Sequence, residues 1–174
     1  DTTDGKGLVQ DFDRLNLPVE GARILLLGAG GAARGVLQSI LALEPSLLMI
    51  ANRTEKKAIQ LASLIPQDNF VGVALNQLNE VRQPFDLIIN STSASLTGEL
   101  PTIPDSVISF SPNVYDMSYA DKPTVFLQHA KKLGVLNTFD GLGMLVGQAA
   151  ESFYLWTGFR PDVSPVIDKL RRSL

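Results

Sequence analysis

The 174-residue sequence contains no cysteine, a single histidine and a single tryptophan. Without cysteine there is no disulfide, no thiolate nucleophile and no cysteine-based zinc framework; one histidine does not make a metal cluster, so no metal site is expected. The lack of cysteine also fits a reducing, cytoplasmic location. No apolar run approaches the roughly 20 residues of a membrane-spanning helix, and no membrane partner is expected. An excess of one charge is missing too. Fifteen Lys and Arg face eighteen Asp and Glu, a net charge of −3 with the cations scattered. That argues against a groove for a phosphate backbone and against nucleic acid as a main partner. No internal repeat or low-complexity segment interrupts the chain. What is present, 45% hydrophobic and 19% charged residues, is the balance of a globular chain of about one domain. The first residue is Asp1 and not Met, so the chain is expected to be excised from, or numbered within, a longer one.

Apolar patterning alternates between two kinds of segment. Leu8, Val9, Phe12 and Leu15 recur at helical spacing and end near Pro18. "ARILLLG" is a short apolar run closed by glycine, the form of a strand buried on both faces. Further strands are expected at 47–51, 70–75, 85–90, 113–117 and 134–138. Helices are expected after the first strand (Val36, Leu37, Ile40, Leu41), after Thr54 as a cap, over 124–133, from Asp140 as a cap to about Gly158, and from Ser164 onward. A Ser/Thr/Gly-rich loop is expected from 91 to about Pro104. Strands alternating with helices imply an α/β protein with a doubly wound, Rossmann-type parallel sheet of about six strands.

The junction of the first strand and its helix carries the chemistry. Gly28, Gly30 and Ala33 stand as G-x-G-x-x-A. Gly28 permits a tight turn, Gly30 lets a pyrophosphate approach the backbone, and Ala33 lets helix and sheet pack closely. The helix N-terminus offers unpaired amides and a positive dipole end. The alternative is a tight turn with no ligand. The end of the second strand then selects the cofactor. An NAD-binding domain usually places an acid there, on the ribose 2′-hydroxyl. Here the residues are Asn52, Arg53 and Thr54, with Lys57 one turn on. A guanidinium fork meets a 2′-phosphate with hydrogen bonds worth about 1.5–3 kcal/mol each, so NADP is the expected cofactor. The alternative for Arg53 is a solvated residue at a helix start.

"GAGGAARG", "NRTEKK", "FDLIINSTS", "YDMSY" and "DGLGMLVGQAA", in that order and with "TDGKG" near the start, resemble the shikimate dehydrogenase family along essentially the whole chain. The resemblance implies NADPH-dependent reduction of 3-dehydroshikimate to shikimate, on the route to aromatic amino acids. It also implies a preceding substrate domain that is not part of this chain. Residues 1–17 would be a linking helix, 18–140 the NADP-binding domain, and 141–174 helices returning toward the substrate domain. The residues matching the family's cofactor contacts are Gly28, Ala29, Gly30, Gly31, Ala32, Asn52, Arg53, Thr54 and Lys57. Met117 and Gly141 match positions near the nicotinamide, and Thr92, with Asn90 and Ser93, lies on the loop after the fourth strand. Tyr119 and Gln148 match substrate contacts. Asp4 matches the catalytic aspartate that holds the substrate hydroxyl beside a lysine, which belongs to the absent domain. One departure is Thr2, where the family usually has Asn.

Each of these residues also has a plain structural reading. Asp4 can be a helix cap, Tyr119 an exposed aromatic, Gln148 a packed amide, and Asn90 with its neighbours turn formers. His129 reads as a surface helical residue, and Trp156 with Phe153 and Leu155 as packing. If Leu142–Leu170 dock on another domain, the chain alone is expected either to self-associate through them or to repack the two last helices onto the sheet domain. Rival functions are a quinate-type dehydrogenase, a methyltransferase and a non-catalytic NADP-binding module. "NRT", lacking an acid, speaks against an NAD-preferring quinate enzyme and against the methyltransferase.

Overall fold

The computed structural model describes residues 2–65 and 67–174, and the side chains of all of these but 95 and 96. Six strands, β1 (Arg23–Leu27), β2 (Leu47–Asn52), β3 (Phe70–Ala74), β4 (Leu87–Asn90), β5 (Asn113–Asp116) and β6 (Asn137–Asp140), form one sheet in the order β3-β2-β1-β4-β5-β6. Every pairing is parallel. The helices are α1 (Asp4–Arg14), α2 (Gly31–Leu41), α3 (Glu55–Ala62), α4 (Asp105–Ser109), α5 (Val125–Lys132), α6 (Leu142–Thr157) and α7 (Ser164–Ser173).

The sheet is covered on both faces because β1 is apolar at every inner position. Ile24 and Leu26 pack with Leu8, Phe12, Val36, Ile40 and Leu61 under α1, α2 and α3. Leu25 and Leu27 pack with Phe85, Ile108, Phe126 and Leu127 under α4 and α5. This is the doubly wound arrangement that the alternating pattern predicts.

α1 meets α6 backbone to backbone. A Cβ at Gly7 would lie 2.5 Å from the Gln148 amide nitrogen and 2.6 Å from the Met144 carbonyl oxygen, so only glycine allows this approach. Buried Asp11 ties α1 to the sheet. Its Oδ2 accepts from the Tyr115 hydroxyl (2.7 Å), and its Oδ1 accepts from Arg14 Nε (2.9 Å) and Nη2 (2.7 Å). Burial, then the Asp11 carboxylate, push the Tyr115 phenol well above its usual range, so it stays a donor.

Several local expectations are corrected. The first helix stops at Arg14, because Asn16 turns into a left-handed conformation (φ 53°). Thr54 stands at the N-cap of α3 but makes no capping bond. The last strand runs over Asn137–Asp140 and not 134–138: Gly134 (φ 91°) turns the chain out of α5, and Val135 is spent on core packing. The loop expected up to Pro104 holds a short 3-10 turn at Ala94–Thr97, and the α4 helix beyond it was not expected. Gly141, not Asp140, is the N-cap of α6, although Asp140 Oδ1 accepts from the Leu142 amide (3.2 Å). Ser164 is the first residue of α7, and Asp162 Oδ1 accepts from its amide (3.0 Å).

Trp156, Phe153 and Leu155 do not pack as expected. They are 82%, 43% and 62% exposed, because the first half of α6 (Leu142, Met144, Val146, Ala150) takes the buried positions. His129 is half-buried, and its Nε2 lies 2.7 Å from Asp105 Oδ1, joining α5 to α4 at the surface.

Candidate functional site

β1 lies between β2, its successor along the chain, and β4, which the chain reaches after crossing to the other face. A crevice opens at the carboxyl ends of strands where the order reverses in this way. Here it is a cleft of about 680 Å3, within the usual size of a small-molecule site. Gly28, Ala29, Gly30, Gly31 and Ala32 line one side, and Asn52, Arg53, Thr54 and Lys57 line the next. Thr92, Ser93 and the stretch from Leu100 to Thr102 close it opposite.

The glycines of the bend divide into two kinds. Gly28 has φ 103°, its amide donates to the Ala51 carbonyl (2.8 Å), and a Cβ there would fall 2.7 Å from Ser91 Oγ. Ser91 Oγ in turn donates to the Leu27 carbonyl (2.6 Å). The fold itself therefore demands Gly28. Gly30 is different. Its backbone (φ −90°, ψ −163°) suits any residue, and a Cβ there, as at Gly31, would meet nothing within 4 Å. The space is open directly over the start of α2, whose first turn carries no acid and whose first amides have no acceptor within the helix. Ala33 is fully buried between helix and sheet. The cradle fits an anionic diphosphate.

At the end of β2, Asn52 Nδ2 donates to the Thr54 carbonyl (3.0 Å) and braces the turn. Arg53, Thr54 and Lys57 are exposed on the cleft. Among the described residues no carboxylate or carbonyl pairs with the Arg53 guanidinium or the Lys57 ammonium. Two cations beside a diphosphate cradle, neither in an ion pair among the described residues, suit a further phosphate.

Asn90 turns inward. It is fully buried, with Nδ2 donating to Asp116 Oδ1 (3.2 Å) and Oδ1 accepting from the Thr92 amide (3.1 Å) and hydroxyl (2.7 Å). It shapes the loop that presents Thr92. Met117 follows β5, its amide donating to the Asn90 carbonyl (2.9 Å). Gly141 packs so closely that a Cβ would run into the Met117 carbonyl, and its amide donates to the Ser118 carbonyl (3.0 Å). Met117 and Gly141 thus meet beyond β4, outside the lining of the main cleft.

Asp4 is the first residue of α1, half-buried beside Gly35 of α2. Gln148 lies at the same end of the molecule, where its Oε1 accepts from the Thr3 hydroxyl (3.1 Å). Tyr119 is exposed beyond β5, and among the described residues no hydrogen bond joins it to Asp4 or Gln148. Sequence reading missed Ser91, which abuts Gly28. It also missed Asp116, a buried carboxylate that accepts from Thr124 Oγ1 (2.6 Å) and the Ser118 amide (3.0 Å) and orients Asn90. An acid at the end of the short strand Asn113–Asp116 was the available signal. Among the described residues, no group of three or more His, Asp or Glu could hold a metal, and no helix is long and apolar enough to cross a membrane.

The family model described as Shikimate / quinate 5-dehydrogenase matches residues 12–98, and that of the Shikimate 5′-dehydrogenase C-terminal domain matches residues 141–171. The shikimate dehydrogenase (NADP(+)) of Cellvibrio japonicus is 52% identical over 175 residues, a match covering all of this chain and 63% of that protein. Among solved structures, an Ael1 enzyme from Pseudomonas putida is similar with TM-score 0.91 and 42% identity over 97% of this chain and 62% of its own. The shikimate 5-dehydrogenase of Thermus thermophilus, solved in complex with NADP(H) and shikimate, is similar with TM-score 0.81 and 30% identity over 99% of this chain and 63% of its own. The chain thus spans just under two thirds of the length of these relatives.

Proposed function

Because the chain belongs to the shikimate/quinate 5-dehydrogenase family, we propose that it is the NADP-binding part of an enzyme that reduces 3-dehydroshikimate to shikimate. One observation carries the cofactor assignment. A single cleft holds a glycine at position 30 that the fold does not need, together with Arg53, in no ion pair among the described residues, where an NAD site would place an acid. A close relative named as NADP(+)-dependent and a solved relative holding NADP(H) support it.

On this reading, Gly28, Ala29, Gly30, Gly31 and Ala32 hold the diphosphate through the open amides of α2. Asn52 braces the turn from which Arg53, Thr54 and Lys57 hold the adenosine ribose and its 2′-phosphate. Thr92, on the lining of the cleft, with Met117 and Gly141 just beyond it, takes the nicotinamide half. When bound, the cofactor supplies or accepts the hydride. The chain's own residues orient it and shield it from water. Asp4 holds the substrate hydroxyl and its proton, with Gln148 and Tyr119 as further substrate contacts, beside a lysine contributed from outside this chain. Residues 1–17 link the parts, 18–140 bind the cofactor, and 141–174 return toward the substrate domain. The enzyme works in the cytoplasm. The exposed run from Phe153 to Phe159 is the surface the rest of the protein covers, and through it the chain by itself self-associates.

Calorimetric titration of the chain with NADP and with NAD tests the assignment. NADP should bind about ten- to a hundredfold more tightly, and Arg53→Ala should remove that preference. Equal loss of affinity for both cofactors would overturn the role of Arg53. Supplied with 3-dehydroshikimate and NADPH, the chain alone should show negligible loss of the reduced-nicotinamide absorbance, whereas the full-length protein should turn over.

A further inference from the structure

The last helix is tied to the rest of the chain through two side chains one turn apart. Ile167 is the buried residue of α7, and it packs on Leu142 and Val146 of α6. One helical turn later, Arg171 grips Asp140: Nη1 donates to Oδ2 (2.7 Å) and Nη2 to Oδ1 (2.6 Å). Leu142 and Asp140 flank Gly141. The same Asp140 Oδ1 accepts from the Leu142 amide (3.2 Å), while Gly141 presses on the Met117 carbonyl. Asp140 stands in register with Asp116 on β5, and Asp116 with Asn90 on β4, so these strand ends form one continuous edge of the crevice.

A dinucleotide lies across such a crevice with one half on each side of the reversal point. Arg53 and the diphosphate cradle occupy the β1–β2 side, so the nicotinamide half falls on the β4–β5–β6 side, where Met117 and Gly141 meet. We propose that Arg171 is a positioning residue for the nicotinamide end of the site: by holding both Asp140 oxygens it fixes the Gly141 turn, and through it the Met117 backbone. A bidentate guanidinium–carboxylate pair defines orientation as well as contributing attraction. The Asp140 carboxylate is 11% exposed, so its lone pairs are directed by the fork more than by water. The hydrogen bonds that Arg171 donates to Asp140 also raise the Arg171 pKa above its usual value, which keeps the fork charged.

This inference rests on the NADP reading, and its test separates the two. The chain is titrated with NADP and with 2′-phospho-ADP-ribose, which lacks the nicotinamide. Arg171→Gln should weaken NADP by about three- to tenfold and leave the fragment's affinity unchanged. Arg171→Lys, which keeps the charge and loses the fork, should fall between. If both ligands weaken equally, or NADP does not weaken, the positioning role is overturned while the cofactor reading stands. If the unaltered chain binds neither ligand, both fall together. Thermal melts report whether each variant folds, and should Arg171→Gln not fold, Arg171→Lys carries the same comparison.

Discussion

Two glycines two residues apart should respond oppositely to the same substitution. At Gly28, alanine must adopt φ 103°, outside the range comfortable for an L-residue, at a cost of about 1–3 kcal/mol. Its Cβ also arrives 2.7 Å from Ser91 Oγ and displaces the hydroxyl from the Leu27 carbonyl, costing about 1 kcal/mol more. Gly28→Ala should therefore destabilise by about 2–4 kcal/mol, which for a chain of this size lowers the melting temperature by roughly 5–12 °C. At Gly30 the backbone is unstrained and the new methyl meets nothing; stability should change by no more than about 0.5 kcal/mol, the modest loss of a glycine N-cap. The methyl does project into the cradle over α2. Gly30→Ala should thus cost about tenfold or more in NADP affinity, the equivalent of about 1.4 kcal/mol of lost approach. Urea unfolding and calorimetric titration of both variants decide it. A Gly30→Ala protein that binds NADP as well as the parent would refute the idea that the open space over α2 is kept for a diphosphate.

The acid limb of stability should depend on Glu151. Its buried carboxylate accepts from Lys6 Nζ (2.8 Å) and Arg160 Nη1 (2.8 Å), and these hydrogen bonds, Lys6 first, hold its pKa below the ordinary 4.5. A lowered folded-state pKa contributes stability above the ordinary value and loses it as pH falls through the folded one. The parent should therefore lose stability below pH 4.5 more steeply than Glu151→Gln; parallel urea midpoints between about pH 3 and 6 would contradict this. The exposed aromatic run should also show itself in solution. Sedimentation should reveal concentration-dependent association of the chain, reduced by Leu155→Ser with Trp156→Ser, and a clean monomer at every concentration would exclude the self-association.

The sheet was legible because buried parallel strands leave short apolar runs, and "RILLL" or "LIIN" have few other uses in a globular chain. The glycine bend was legible because so few residue types tolerate it. Element ends were less so. Gly134 and Asn16 shift boundaries by adopting positive φ, a property of the surrounding packing as much as of the residue. α4 is only five residues long, too short to show a period. The inward turn of Asn90 was hidden for a different reason. Its partner Asp116 is 26 positions away, on the neighbouring strand. No local pattern reveals a hydrogen bond whose two ends meet only when the sheet forms. Trp156 misled because apolar character on a helix marks burial against something, without saying whether that partner belongs to the same chain.

The candidate site emerges most clearly from what the fold leaves unexplained. Gly28, Ala33, Asn90, Asp116 and Gly141 each have a structural reason within the chain: a positive φ, a close helix–sheet contact, a buried hydrogen bond, a backbone packed on backbone. Gly30, Gly31, Arg53 and Lys57 have none. Two lack a side chain where a side chain would fit, and two carry charge that no ion pair engages among the described residues. A fold selected for stability alone has no reason to leave a helix N-terminus bare and to set two cations beside it. Residues of this second kind lie around one cleft at the reversal point of the sheet, so an anion-rich ligand explains them jointly where internal packing explains none of them.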